Sequence, residues 1–335
     1  MILAAGKGER MYPLTEDVPK ALLKVGDKTL VDWTIKRLSD VGISKIVVAV
    51  GWKGTHVEDH LSSSGSRARI VNVPDYETGP LQTLVTAIET FDDDFLLTPV
   101  DTMTDSSILS GMISHYNEGT ESHRTTLAVD LTSHSGTPVS TREDGSVSGL
   151  GNEVLETDTM SRSAMLFIGN SRIVKDCKNA LDAGETKLVY VLNMWVQDSH
   201  VLRSYPVQSS SIDIDTFSDL LEANNLVLER GNFTKTGHVF VPSGDSIEVG
   251  DILALKSDIT LHKGTEIVGP VLVSHGCEIG EQCRIGPNVT LDSNSTLLMG
   301  CNISDSIVFG ESTISSQSRL QGTIVYKSKR YSVER

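Results

Sequence analysis

The sequence predicts two architectures in one chain: an α/β, doubly wound, mostly parallel sheet over residues 1–226 and a parallel β-solenoid over residues 227–335. Three observations carry this. Apolar strand-like runs alternate with helical patterns through the first part, the order that gives a parallel sheet covered by helices on both faces. Apolar residues then recur at every sixth position. Between the two lies the polar, glycine-containing stretch "EANNLVLERGNFTKTG" (222–237), read as following a short helix and holding the boundary. A chain of 335 residues is also long for one hydrophobic core.

The elements of the first part follow in order. "ILAA" (2–5) is an apolar run that ends in glycine. "TLVDWTIKRLSDVG" (29–42) places Leu30, Trp33, Leu38 and Val41 at helical spacing, with Gly42 as C-cap. "KIVVAV" (45–50) is nearly continuous and β-branched, as a strand buried on both faces should be. "LQTLVTAIETF" (81–91) reads as the next helix, and "FLLTPVD" (95–101) as a buried strand ending on an aspartate. Ligands of such sheets bind at the carboxyl ends of the strands, so the loop after "ILAA" and Asp101 should meet at one rim.

In the second part Ile267, Val273, Ile279, Ile285, Leu291, Leu297 and Ile303 are six residues apart without a break. After a one-residue slip Val308, Ile314 and Leu320 resume the step. Neither a helix nor a flat sheet has a reason for this period. A solenoid with hexapeptide rungs does, because each apolar side chain points into the coil. Three hexapeptides to a coil stack Cys283 over Cys301, which suits small interior residues better than a metal site.

Composition narrows the function. Net charge is −15, which argues against nucleic-acid binding. The charge is uneven, net −2 over residues 225–335 and −13 over residues 1–224. A phosphate site in the first part must therefore concentrate its cations locally and recruit a divalent metal. No apolar run is long enough to span a membrane, and no basic segment precedes the first apolar run, so a cytoplasmic protein is expected. The four cysteines form no C-x-x-C pair and read as reduced, buried thiols.

"ILAAGKGERMYPLTEDVPK" (2–20) is the stretch that carries chemistry. It is not a Walker loop, since Lys7 is followed by Gly8 and Glu9, nor a dinucleotide fingerprint, since the third glycine position holds Met11. Yet a glycine loop between a buried strand and a helix offers backbone N–H groups to phosphate oxygens. Gly6 and Gly8 admit a ligand close to the chain, Arg10 supplies a planar fork of donors, and Lys20 adds a point charge after Pro13 and Pro19. Asp101 at its strand end and Asp213, in "SSIDIDTFSDLL" (210–221), make a carboxylate pair suited to Mg²⁺ on nucleotide phosphates. Asp215 or Thr216 caps the helix that follows.

These residues resemble the sugar-1-phosphate nucleotidyltransferases. Residues 3–20 match nearly every fixed position of that family's loop, L-A-(A/G)-G-x-G-x-R-(M/L)-x-P-L-T followed by P-K. "VVAVGWKGTHVEDHL" is similar to its second strand and helix, "ETGPLQTL" to its base-side loop and "SIDIDTFSDL" to its late metal-aspartate segment. The resemblance implies a Rossmann-like catalytic domain with a left-handed parallel β-helix behind it, and a first strand that starts a few residues earlier. It implies that the main chain at Ala4, Ala5 and Gly6 meets base and ribose, that Gly8 meets phosphate, and that Gly79 and Gln82 lie on the base side. Arg10 would hold the leaving pyrophosphate, and Lys20 would bridge the α-phosphate and the sugar phosphate. Asp101 and Asp213 would hold Mg²⁺. The implied partners are a nucleoside triphosphate and a sugar 1-phosphate, with a homo-oligomer built through the β-helix. No nucleic-acid or membrane partner is expected.

The sequence departs from the pattern in two places. Val100-Asp101 replaces the usual Gly-Asp. At the usual E-K-P sugar motif, Glu153 can stand for the acid while Val154 and Leu155 replace lysine and proline, so Arg162 or Lys187 must supply the charge. "GPL" resembles the mannose-1-phosphate guanylyltransferase branch, but the loop leaves the base open among uracil, thymine, guanine and cytosine. Three alternatives stay in view: a cytidylyltransferase on another phosphorylated acceptor, a bifunctional acetyltransferase, and a non-catalytic regulatory homologue. His262 and His275 are solvated turn residues on this reading, and the solenoid is an oligomerisation or regulatory module.

Overall fold

The computed structural model describes every residue except 90–93, 121–123, 134–135, 208–210, 232, 234–236, 256 and 334–335. The end of the expected 81–91 helix and part of the 222–237 boundary fall outside the described residues. Two compact units emerge: Met1–Leu23 with Leu30–Asp213, and Lys24–Thr29 with Ile214–Arg335.

Along the chain, β1 (Ile2–Ala4), α1 (Leu14–Asp17), β2 (Lys24–Val25) and β3 (Lys28–Thr29) lead to α2 (Leu30–Asp40). Then come β4 (Val47–Val50), α3 (Gly54–Ser63), β5 (Arg69–Asn72) and α4 (Pro80–Ile88). β6 (Phe95–Pro99), β7 (Thr102–Met103), α5 (Ser106–Glu118) and β8 (Thr126–Asp130) follow. β9 (Pro138–Thr141), β10 (Val147–Leu150), β11 (Thr159–Gly169), α6 (Ser171–Asp182) and α7 (Leu188–Gln197) come next. β12 (Arg203–Val207), β13 (Ile212–Asp213) and α8 (Phe217–Arg230) complete the set before the solenoid.

The large sheet runs β10-β9-β11-β6-β1-β4-β5, with β8 and β12 joined through β11. β1 lies between β4 and β6, parallel to both, and β4 pairs in parallel with β5. All four residues of β4 are buried, which is why its sequence shows no alternation. The expected parallel sheet thus describes β6-β1-β4-β5. Beyond β6 the sheet is mixed, because β11 runs antiparallel to β6, β8 and β9. α2 closes as its sequence implied, with Ile43 N–H donating to Leu38 O at 3.0 Å. One face of the sheet buries Leu97, Leu127 and Phe167 against Leu84 and Ile88 of α4, Ile173 of α6 and Leu192 of α7. Burial of these side chains is the dominant stabilising term for the layer.

The second unit is a three-faced parallel β-helix. Ile267, Ile285, Ile303 and Leu320 stack on one face, and Val273, Leu291, Val308 and Val325 on the next. Ile279, Leu297 and Ile314 stack on the third, and none of these side chains is more than 5% exposed. The one-residue slip is a shorter rung, across which Leu291 still lies over Val308. Cys283 and Cys301 both donate to Leu298 O, at 3.2 and 3.0 Å, as stacked interior residues. All four cysteines are free and buried, and burial pushes the Cys277 thiol up to about 11.

Two features of this unit escape the sequence pattern. The cut near 226 falls inside α8, which continues to Arg230 and lies in the second unit. One polar residue of the segment is buried in α8: Asn224 Oδ1 accepts from Gly26 N at 3.2 Å and from Thr290 Oγ1 at 2.8 Å. The β2–β3 hairpin also belongs here, with Lys24 Nζ 2.7 Å from Asp292 Oδ1. Thr216 is the cap of α8, in a reciprocal box with Asp219. His262 Nε2 lies 3.1 Å from Glu278 Oε1, and His275 Nδ1 lies 3.1 Å from Ser293 Oγ.

Candidate active site

The loop after β1 is built around Gly8. Its φ of 65° and ψ of 39° are left-handed, and an added Cβ would stand 3.2 Å from both Lys20 Cβ and Thr15 Cγ2. Thr15 Oγ1 and Met11 N both donate to Gly8 O, at 2.7 and 2.9 Å, so the turn is fixed from two sides. Gly6 is exposed, and a Cβ added there meets nothing within 4 Å. Arg10 is exposed on the single turn Glu9–Met11, which Met11 anchors in the core. Lys53 secures α1 by donating to Glu16 O at 2.9 Å and Asp17 O at 2.8 Å.

Lys20 opens the turn Lys20–Leu22 and is only 8% exposed. A buried ammonium needs a partner, and it finds the carboxylate of Asp101. That carboxylate stands at the same rim because Val100 N donates to Leu3 O at 3.0 Å, continuing the β1–β6 pairing beyond Pro99. β7 then pairs antiparallel with β13, Thr102 opposite Asp213. The carboxylate oxygens of Asp101 and Asp213 come within 4.8 Å of each other. Two acidic side chains, one on the turn between β6 and β7 and one on β13, so close together beside a lysine, fit a hard divalent cation that keeps its remaining positions for phosphate and water.

The loop before α4, expected on the base side, is anchored elsewhere. Gly79 precedes α4 with φ 138° and ψ 179°, and its missing Cβ would come 3.0 Å from Thr186 O. Leu81 N donates to that same Thr186 O at 3.0 Å. Gln82 is half-buried in the first turn of α4 and donates from Nε2 to Thr86 Oγ1 at 3.0 Å. An ion pair from Lys7 to Glu77 ties the glycine loop to this side. It holds the Glu77 carboxyl below its ordinary range and raises the Lys7 ammonium.

Glu153 is placed by other elements. It is exposed on the turn Gly151–Glu153 that follows β10. Asn193 of α7 holds that turn, accepting from Leu150 N at 2.9 Å and donating to Leu150 O at 3.0 Å. Lys187 is the N-cap of α7 and exposed, one residue beyond the Thr186 carbonyl that meets Gly79. Arg162 lies on β11 and donates from Nη1 to Gly136 O at 3.4 Å. The structure therefore joins Gly8, Lys20, Asp101 and Asp213 in one cluster, links Gly79 to it through Lys7 and Glu77, and sets Glu153 on a separate support. Sequence reasoning missed Lys7, Lys53 and Asn193. The first two were visible as cations in or near glycine loops, while Asn193 gave no signal within its helical pattern.

A glycine loop and paired carboxylates at the carboxyl rim of such a sheet suit the handling of nucleotide phosphates. Residues 1–145 match the MobA-like NTP transferase domain family, and residues 267–332 match the GMPPB C-terminal domain family. Mannose-1-phosphate guanylyltransferase 1 of Arabidopsis thaliana is 25% identical over 97% of this chain and 90% of its own length. The low-salt glycan biosynthesis nucleotidyltransferase Agl11 of Haloferax volcanii is 26% identical over 98% of this chain and 92% of its own. A UDP-glucose pyrophosphorylase from Acinetobacter baumannii shares the fold, with TM-score 0.57 at 16% identity over 69% of this chain and 93% of that one. Along nearly its whole length the chain is similar to sugar nucleotidyltransferases. These likenesses support a nucleotidyltransferase of NDP-sugar synthesis. Among the described residues no helix is long and apolar enough to cross a membrane.

Proposed function

We propose that the protein catalyses Mg²⁺-dependent transfer of GMP from GTP to mannose 1-phosphate, releasing pyrophosphate. The observation that carries the transfer reaction is the juxtaposition of Lys20, Asp101 and Asp213 beside the Gly8 loop. The mannose-1-phosphate guanylyltransferase relative and the match to the GMPPB C-terminal domain support the choice of base and sugar.

A sugar-phosphate oxygen is already an anionic nucleophile, so no general base is needed. It forms a bond to the α-phosphorus while the bond to the bridging oxygen of pyrophosphate breaks. The task of the side chains is to hold two polyanions in line and neutralise charge. In this account the main chain at Ala4, Ala5 and Gly6 meets base and ribose, the Gly8 turn faces phosphate, and Arg10 holds the leaving pyrophosphate. Lys20 bridges the two reacting phosphates, with Gly79 and Gln82 on the base side. Asp101 and Asp213 would hold Mg²⁺, which when bound supplies charge neutralisation at the phosphates. On the acceptor side Glu153 faces sugar hydroxyls, and Lys187 stands in for the lysine that Val154 displaces. Lys187 is favoured over Arg162 because Asn193 of its own helix holds the Glu153 turn. The β-helix would join copies of the chain, a state to be read by light scattering.

Mass analysis of the product formed from mixed triphosphates and mixed sugar 1-phosphates tests the assignment. GDP-mannose as main product supports it. UDP-glucose, dTDP-glucose or a CDP product would move the substrate, and acetyl-CoA consumption would add a second activity to the solenoid.

A further inference from the structure

Lys20 and a divalent cation need the same electron pairs. Oδ2 of Asp101 accepts from Lys20 Nζ, and it belongs to the carboxylate pair that fits the metal. The backbone of Lys20 is held, with Leu23 N donating to Lys20 O at 3.0 Å. Its inner methylenes pack beside the Gly8 turn, where a Cβ on Gly8 would meet Lys20 Cβ at 3.2 Å and Cδ at 3.5 Å. The outer part of the side chain carries the ammonium that meets Asp101. We propose that Lys20 and the divalent cation exchange on Asp101, so that metal entry drives the Lys20 ammonium off the carboxylate and onto phosphate. The inference rests on the metal reading above and concerns how the site is loaded.

Both charges are partly buried, with side chains 10% and 20% exposed for Lys20 and Asp101. Removing either partner without a replacement strands a poorly solvated charge, which is costly. The exchange becomes favourable when a cation reaches Asp101 and an anion reaches Lys20 together. Lys20 is then a positioning residue for the metal as well as a phosphate ligand, and it couples cation binding to triphosphate binding.

Electron paramagnetic resonance of free Mn²⁺, titrated with the full chain and no nucleotide, tests this with a readout separate from turnover. Lys20→Met and Lys20→Gln should each tighten Mn²⁺ binding by about tenfold, the scale of one charge-assisted contact. Arg10→Met, which removes a charge from the same loop, should change it by less than about threefold, as general charge effects near a surface do. Equal gains in the Lys20 and Arg10 variants, or no gain at Lys20, would overturn the exchange. Asp101→Asn separates the two levels. If it abolishes Mn²⁺ binding while the Lys20 variants show no gain, the exchange alone fails. If it leaves binding unchanged, the metal reading fails and the exchange with it.

Discussion

Asp213 lies opposite Thr102 in the short β7–β13 pairing, and this brings its carboxylate within 4.8 Å of Asp101 although more than a hundred residues separate them in sequence. One side chain arrives from the turn after β6 and the other from β13, and neither alone gives a cation enough charge. Asp101→Asn and Asp213→Asn should each lower kcat/KM by about two to three orders of magnitude, the scale for losing an electrostatic stabiliser. A Mg²⁺ titration of the rate should also move to higher concentration in both. Arg10→Ala should lose as much without that move.

On the proposed reading the acceptor side rests on α7. Lys187→Ala should raise KM for the sugar 1-phosphate about tenfold or more while KM for the triphosphate stays near its original value. Arg162→Ala should leave both close to unchanged. Steady-state kinetics with each substrate varied in turn checks this, and the reverse pattern would give the acceptor role to Arg162.

Gly8 is the left-handed residue of the glycine loop, the loop that would face phosphate on the proposed reading. Gly8→Ala places a side chain in the left-handed region, at a cost of about 1–2 kcal/mol, and pushes against Lys20 and Thr15. The expected result is a modest fall in melting temperature with a much larger loss of kcat. Gly6→Ala, with open space where its Cβ would stand, should melt like the parent protein.

In the solenoid Ile303 stacks between Ile285 and Leu320 and is fully buried. Ile303→Ala should destabilise by about 2–5 kcal/mol. Because each rung contacts mainly its neighbours, the loss should appear in hydrogen exchange around residues 285–320 before it appears elsewhere.

Much of the architecture was legible because it obeys short periods. A six-residue step marks the solenoid interior directly, and a buried β-branched run marks a parallel strand. The glycine loop was readable because its residue types have few other uses together. What the sequence concealed depends on pairings distant in the chain. Asn224 looks like a polar linker residue, yet it is buried as the acceptor for Gly26 and Thr290. That bond draws the β2–β3 hairpin and α8 into the solenoid unit. Likewise Lys7 and Glu77 are ordinary surface charges until the fold sets their loops side by side. The mixed half of the sheet was hidden for a related reason, since the 11-residue β11 serves three neighbours and shows no single alternation.

Pyrophosphate release measured over a matrix of nucleoside triphosphates and sugar 1-phosphates in Mg²⁺ tests the central claim most directly. The account predicts fastest release with GTP and mannose 1-phosphate, lost on Asp101→Asn and on chelation of the metal. Release that persists undiminished in the Asp101→Asn protein, or no release with any pair, would contradict it.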